Sequence, residues 1–241
     1  MDRKAQKQAN GFSFSTARTA GRGRNDLTFN AEMLKEGSLV SKVSLLACVS
    51  ALFLAAGSSF GLANELNLWM AIGSVIVTFG GLFVLRSLNT APLAVAGLAV
   101  WNSFFGVTVG WSLHNYVVSI GANTVIACIL ASAFAMAVVG AIGALSGIDF
   151  RGLERFLLIG LFGLILVTIV QFFLHMAAGV NIFIAVAGLV IFTGFFLVDF
   201  CRLARSGDNS WGEAADITIN IVLDYVNFTF YLLRLVRELK K

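Results

Sequence analysis

Seven long apolar stretches, separated by short polar segments, dominate the pattern of residues along this chain. They occupy residues 43–62, 66–85, 91–113, 122–145, 156–175, 179–198 and 214–236. Each is close to the length of about 20 residues that a helix needs to cross a bilayer. Runs such as 156–168 are continuously apolar, whereas the strands of a membrane barrel alternate apolar and polar residues. The pattern therefore predicts an all-α, polytopic membrane protein built as a seven-helix transmembrane bundle.

The composition agrees with this fold class and leaves little room for a soluble domain. Hydrophobic residues make up 58% of the 241 positions and charged residues only 12%, against about 25% charged residues in soluble proteins. We expect a basic, largely disordered tail over residues 1–42, a transmembrane domain over 43–236 and a short basic end over 237–241. Membrane lipids are the expected contacts of the tail, and no nucleic-acid partner is expected.

Basic residues indicate the orientation of the spans. Thirteen of the 17 Lys and Arg residues lie in the N-terminal tail or in the connections after the second, fourth and sixth spans. The positive-inside rule makes that side cytoplasmic, in a plasma (inner) membrane or an internal membrane. The other four are Arg234, Arg237, Lys240 and Lys241. They break the pattern if the seventh segment crosses fully and obey it if that segment enters and returns, and the sequence leaves both alternatives open.

The seventh span carries a regular series of polar residues, which we call the polar stripe. Its members are Asp216, Asn220, Asp224, Asn227, Tyr231 and Arg234. On a helix they occupy an arc of only about 80°, over a length of about 27 Å. Ile, Val, Leu and Phe fill most of the remaining circumference. Such a helix is expected inside the bundle, with its stripe turned away from lipid. Hydrogen bonding between helices would explain Asn220 and Asn227 equally well.

Two acids within apolar spans form the strongest candidate site. Asp199 lies near the end of the sixth span, and Asp224 lies in the middle of the seventh. Their estimated depths in the bundle match, although Asp216 is a rival partner for Asp199. Two carboxylates that meet in hydrocarbon cannot both stay ionised at low cost, so the pair is expected to hold one proton near neutral pH. Ca²⁺, which prefers oxygen ligands, would compete for the same place.

The C-terminal region resembles a known family. The segment FLVDF at 196–200, followed by IVLDYVNFTFYLLRLV at 221–236, is similar to the signature of the transmembrane Bax inhibitor motif family. The resemblance implies a seven-helix bundle with the last helix central and a pH-sensitive cation leak, chiefly for Ca²⁺. It implies that Asp199 and Asp224 are the paired acids that sense the proton. Members of the family can carry an arginine in the second helix that engages the acid pair, and Arg86, at the end of that helix, is the candidate in this chain.

Two other functions compete with a leak channel. The sequence GSSFG at 57–61 matches a hydrolase nucleophile pattern, with His114 or His175 as a base. That pattern requires a strained strand-to-helix turn, whereas these residues lie in an apolar helix and are better explained by helix contact. No motif for a resident metal, redox centre or nucleotide is present, so we expect neither an enzyme nor a cofactor. The second competitor is a non-conducting adaptor that recruits membrane protein partners.

Overall fold

The computed structural model describes residues 37–64, 68–85, 90–173 and 177–241. Within these ranges the chain forms seven α-helices, one short 3-10 helix and no strand. The α-helices are α1 (Leu39–Ala63), α2 (Leu68–Leu85), α3 (Ala91–Ile120), α4 (Ala122–Leu145), α5 (Glu154–Phe173), α6 (Ala178–Arg205) and α7 (Trp211–Leu239), and the 3-10 helix Phe150–Leu153 precedes α5. Six of the α-helices are long and apolar enough to cross a membrane, and in α2 the shorter part Ile76–Leu85 is apolar. The all-α polytopic fold is therefore confirmed.

Several helices extend beyond the apolar stretches, because local caps set their ends. Helix α1 begins at Leu39 rather than at residue 43, since the side chain of Ser38 accepts a hydrogen bond from the Ser41 N–H. Lys42, predicted to belong to the tail, therefore lies inside α1. Helix α7 begins at Trp211 rather than at residue 214, because the side chain of Ser210 accepts from the Glu213 N–H. Polar capping residues extend a helix past its apolar run.

Helix α7 is the central helix of the bundle. It packs against α1, α3, α4 and α6. Its residues Ala214, Ile217 and Ile219 are fully or almost fully buried in an apolar cluster that also contains residues of α1, α2 and α3. At the other extreme, α5 exposes many large apolar side chains, among them Phe156 and Ile159. Such exposed apolar side chains suit contact with lipid in a membrane protein.

The two ends of the bundle can be recognised from contacts between distant parts of the chain. At the first end, which we call the Arg202 end, Lys42 Nζ of α1 donates to the Asn209 carbonyl oxygen at 2.6 Å. At the opposite, Arg234 end, Lys240 Nζ donates to Thr124 Oγ1 at the start of α4 at 2.8 Å. Helix α7 is uninterrupted between them. The seventh segment therefore runs the full length of the bundle, and its C-terminal basic residues depart from the charge asymmetry of the other connections.

Small residues bring helix backbones into direct contact. Helices α1 and α3 meet along Gly57 and Gly61 of the GSSFG sequence and along Gly106 and Gly110 opposite them. A Cβ atom added at Gly110 would lie 2.1 Å from the Ser58 carbonyl oxygen, and one at Gly61 would lie 2.2 Å from the Val107 carbonyl oxygen. Because backbone atoms leave no space for a side chain, residues 57–61 form a packing surface within a helix. Their prediction as a helix contact is thus supported.

We predict that Gly110→Ala destabilises the protein, whereas Gly163→Ala does not. The added methyl group at Gly110 must push α1 away from α3, which costs about 1–3 kcal/mol by overpacking. Gly163 in α5 is a matched control, because nothing lies within 4 Å of its added Cβ. The measurement is the thermal unfolding midpoint of each purified variant in detergent. Equal midpoints for the two variants would contradict the close α1–α3 contact.

Candidate functional site

Helices α6 and α7 bring Asp199 and Asp224 together inside the bundle. Asp199 precedes the end of α6 at Arg205 by six residues, and Asp224 lies in the middle of α7. The two side chains are buried, with exposed fractions of 6% and 8%. Phe196 of α6 and Phe228 of α7 hold the helices together beside the acids, with ring centroids 5.4 Å apart. The apolar residues of the two spans thus place both carboxyl groups away from lipid.

The carboxyl groups of Asp199 and Asp224 lie within hydrogen-bonding reach of each other. The Oδ2 atom of each is buried without a hydrogen-bond donor among the described residues. An ionised carboxylate has acceptors only, so a hydrogen bond between two carboxyl groups requires a proton on one of them. The geometry therefore suits a pair that shares one proton. The contact between the two carboxyl groups would change when the shared proton leaves or when a cation replaces that proton.

A cavity of about 250 Å³ adjoins the acid pair, and we call it the acid cavity. Helices α5, α6 and α7 form its walls. Its polar or charged lining residues are Glu154, Asp199, Arg202, Asn220, Asp224 and Asn227. The space is large enough for several water molecules. Two members of the polar stripe, Asn220 and Asn227, therefore lie beside Asp224 on the wall of one cavity.

Arg202 lies at the α6–α7 end of this cavity and holds two acids of α7. Its Nε and Nη2 atoms donate to the Glu213 carboxylate at 3.0 and 2.8 Å. Its Nη1 atom lies 2.9 Å from Asp216 Oδ2. Asp216, the rival partner predicted for Asp199, is thus paired with Arg202 and does not line the acid cavity. Asp216 supports the site by holding Arg202, which lines the acid cavity.

Tyr231 and Arg234, the last two members of the polar stripe, line further cavities toward the Arg234 end. A cavity of about 490 Å³ contains Asn227 and Tyr231 in its wall, together with the hydroxyl groups of Thr78, Thr108, Ser112 and Thr168. A third cavity of about 320 Å³ contains Asn227, Tyr231 and Arg234. Asn227 borders all three cavities. The stripe thus follows a series of cavities from the acid pair to Arg234.

Arg234 is held at its own end of the bundle by polar groups of α5 and α6. Its Nη2 atom donates to Gln171 Oε1 and, at 3.4 Å, to Asn181 Oδ1. Gln171 Nε2 also donates to Asn181 Oδ1 at 2.9 Å. An arginine side chain therefore lies near each end of the series of cavities, Arg202 at one and Arg234 at the other.

Sequence reasoning missed two charged residues of the acid cavity, Glu154 and Arg202. Arg202 follows Asp199 by three residues, and residues at that spacing share a helix face, so the sequence contained a signal for it. Glu154 starts α5 and reaches the cavity only because α5 packs against α6. No spacing along the chain predicts that contact. The remaining predicted residue, Arg86, lies outside the described residues, as does His175.

Oxygen ligands at the acid pair are too few for a tightly held metal ion. Among the described residues, no group of three or more His, Cys, Asp and Glu side chains is arranged to hold one. Three carboxyl groups, those of Glu154, Asp199 and Asp224, and two amide side chains line the acid cavity, whereas a firmly bound Ca²⁺ takes six to eight oxygen ligands, some of them water, at about 2.3–2.6 Å. Ligands of this kind suit weak, hydrated binding of a cation.

Comparison with known proteins places the chain in a family. The family described as "Inhibitor of apoptosis-promoting Bax1" matches residues 37–241. The chain belongs to this Bax inhibitor-like transmembrane family. The match covers every described helix, and it confirms the resemblance carried by the C-terminal segments. An uncharacterized protein of Borreliella burgdorferi is 29% identical over 94 residues, which are 36% of this chain and 40% of that relative. The chain thus matches less than half the length of that protein.

We predict that the Asp199–Asp224 pair carries one proton at neutral pH. Infrared difference spectra of the purified protein should then show the carbonyl band of a protonated carboxylic acid. Asp224→Asn should remove this band, because the new amide can donate to Asp199 and no proton is needed. Asn227→Ala, which alters the same cavity wall and leaves both acids in place, is the control and should keep the band. A wild-type protein without the band would mean that both acids are ionised.

Proposed function

We propose that this protein is a pH-sensitive cation leak, with Ca²⁺ as the main ion and the Asp199–Asp224 pair as its proton sensor. The observation that carries the proposal is the pair of buried carboxyl groups within hydrogen-bonding reach of each other on the wall of a cavity. Buried acids in membrane spans usually mark ion or proton pathways. Membership of the Bax inhibitor-like family supports the proposal, since the resemblance implies a leak of this kind.

The polar stripe is the proposed path of the ion. It begins at the acid cavity and continues past Asn227 to Arg234, bordered by the three cavities along α7. Side-chain oxygens of Asn220, Asp224 and Asn227 would replace part of the hydration shell of a passing cation. The ligands proposed for this chain are cations and protons, and no catalytic step is proposed. The basic tail and connections favour a cytoplasmic N-terminus.

Protonation would control this path through the pair. When the acids share a proton, they carry one negative charge and hold α6 and α7 together. Loss of the proton places two negative charges side by side, which favours either separation of the helices or binding of a cation between them. The equilibrium between these states would shift near neutral pH, because two buried carboxylates held this close cannot both stay ionised at low cost.

We predict that Asp199→Asn and Asp224→Asn each flatten the pH dependence of Ca²⁺ flux in liposomes. Removal of one acid ends the repulsion between like charges, so the transition near neutral pH should vanish or move about one pH unit or more toward acid. Asparagine keeps the size of the side chain and can still form hydrogen bonds, so the bundle should remain folded.

Asn227→Ala is the matched control for these two variants. It removes a polar group from the same stripe and cavity, but it does not change the acid pair. Flux through this variant should change modestly while its pH midpoint stays in place. If both Asp variants keep the wild-type midpoint while they remain folded, the acids have a structural role. A wild-type protein that passes no Ca²⁺ at any pH would favour the non-conducting adaptor.

A further inference from the structure

The Arg202 end of the acid cavity carries an unusual concentration of charge. Arg202 itself lines the cavity together with Glu154 and the acid pair. Its guanidinium group is ion-paired with Glu213 at 2.8 Å and with Asp216 at 2.9 Å, and about a third of its side chain is exposed. Ser206 Oγ also donates to Glu213 Oε1 at 3.1 Å. A positive charge is thus fixed beside the cavity by several contacts.

The partners of Arg202 determine how its positive charge affects the acid cavity. An arginine bonded to Asp199 would neutralise the acid pair, but the forked contacts of Arg202 go to α7 carboxylates outside the cavity. The guanidinium group therefore bonds to Glu213 and Asp216 rather than to the acid pair. It offsets part of the negative charge that Glu154, Glu213 and Asp216 would otherwise present to a cation approaching from this end.

We propose that Arg202 is the residue that limits the passage of cations between the Arg202 end and the acid pair. Glu213 and Asp216 position its guanidinium group beside the cavity, where it reduces the negative charge that attracts a cation to this opening. This inference rests on the proposed cation leak, and it adds a residue that restricts access to the same site. It also explains why two acids of α7 hold one arginine that borders the cavity.

Arg202→Gln should raise cation flux, and it should raise Ca²⁺ flux more than K⁺ flux. Loss of the positive charge leaves Glu154, Glu213 and Asp216 to attract cations, an effect that raises rates of access by about tenfold or more in charged clefts. The repulsion by a fixed charge is proportional to the charge of the ion. An increase of about threefold for K⁺ should therefore accompany an increase of about tenfold for Ca²⁺. Both fluxes are measured in liposomes at one fixed pH.

Arg205→Gln is the matched control for Arg202→Gln. Arg205 ends the same helix and carries the same charge, but it is exposed, donates to the Gly147 carbonyl oxygen and does not line the acid cavity. The control should leave the ratio of Ca²⁺ to K⁺ flux unchanged. A merely structural role for the Arg202 ion pairs would alter stability or total flux, but it would not change the ratio between ions in proportion to their charge.

A second variant tests the same inference with the opposite sign. Glu213→Gln removes one of the two carboxylates that hold Arg202 and leaves the positive charge less compensated. Ca²⁺ flux should therefore fall about threefold or more, because the cavity opening becomes more positive. Asp208→Asn is its control, since Asp208 is an exposed acid of the nearby α6–α7 connection that accepts from the Ser210 N–H and does not line the acid cavity. If Arg202→Gln fails to fold, this pair of variants still decides the inference.

The possible outcomes separate this inference from the proposed function. Wild-type flux that responds to pH, together with an unchanged ion ratio in Arg202→Gln and unchanged flux in Glu213→Gln, would overturn the role of Arg202 alone. Equal effects of Arg202→Gln and Arg205→Gln would also overturn it, because they would show a general effect of surface charge. Absence of cation flux through the wild-type protein would overturn the leak and this inference together.

Discussion

Burial of two carboxyl groups within a membrane-spanning bundle is the constraint on which the arrangement of α6 and α7 depends. An isolated ionised carboxylate at such a place costs several kcal/mol, so each acid needs a proton, a cation or hydrogen-bond donors. Asp199 and Asp224 meet this need by lying within hydrogen-bonding reach of each other. The central position of α7 follows, because only a helix surrounded by others can turn its whole polar stripe away from lipid.

Close packing elsewhere in the bundle allows the region around the acids to remain hollow. Glycines join α1 to α3 through backbone contact, and Gly143 of α4 brings that helix against the backbone of α6. Gly188 of α6 leaves space for the ring of Tyr231, which also stacks on Phe192 with centroids 5.7 Å apart. Helices fixed in this way form firm walls for the cavities along α7. The ion pairs of Arg202 add little to this rigidity, because partly exposed ion pairs contribute about 0–1 kcal/mol.

The sequence predicts more of the fold than of the site. Length and apolar content determine each span, and the period of polar residues on α7 indicates which face turns inward, so the bundle and its central helix were predictable. The pairing of Asp216 with Arg202 was not predictable, because Asp216 and Asp224 are both possible partners for Asp199 on the same stripe. Spacing along the chain does not favour one over the other. Glu154 lines the acid cavity only because α5 packs against α6. No periodic pattern in the sequence predicts that packing. Lys42 is predicted to lie in the tail because the first apolar stretch begins at residue 43, whereas in the structure it lies within α1 and its ammonium group donates to the Asn209 carbonyl oxygen.

The series of cavities along α7 separates the chemical tasks of the proposed leak. Among the stripe residues that line the acid cavity only Asp224 is titratable, because Asn220 and Asn227 are neutral, and Asp199 and Glu154 supply the other carboxyl groups of that cavity. Beyond Asn227 the cavity of about 490 Å³ offers mainly apolar side chains and hydroxyl groups, and hydroxyl groups are weak ligands for Ca²⁺ compared with carboxylates. In the proposed leak a cation released there would keep most of its hydration shell, so this cavity would pass an ion without binding it. Arg202 at one end of the series is compensated by Glu213 and Asp216, whereas Arg234 at the other end is held by the neutral side chains of Gln171 and Asn181. In the proposed leak a cation would therefore be held at the acid pair and would meet the guanidinium group of Arg234 beyond it, which would slow its passage.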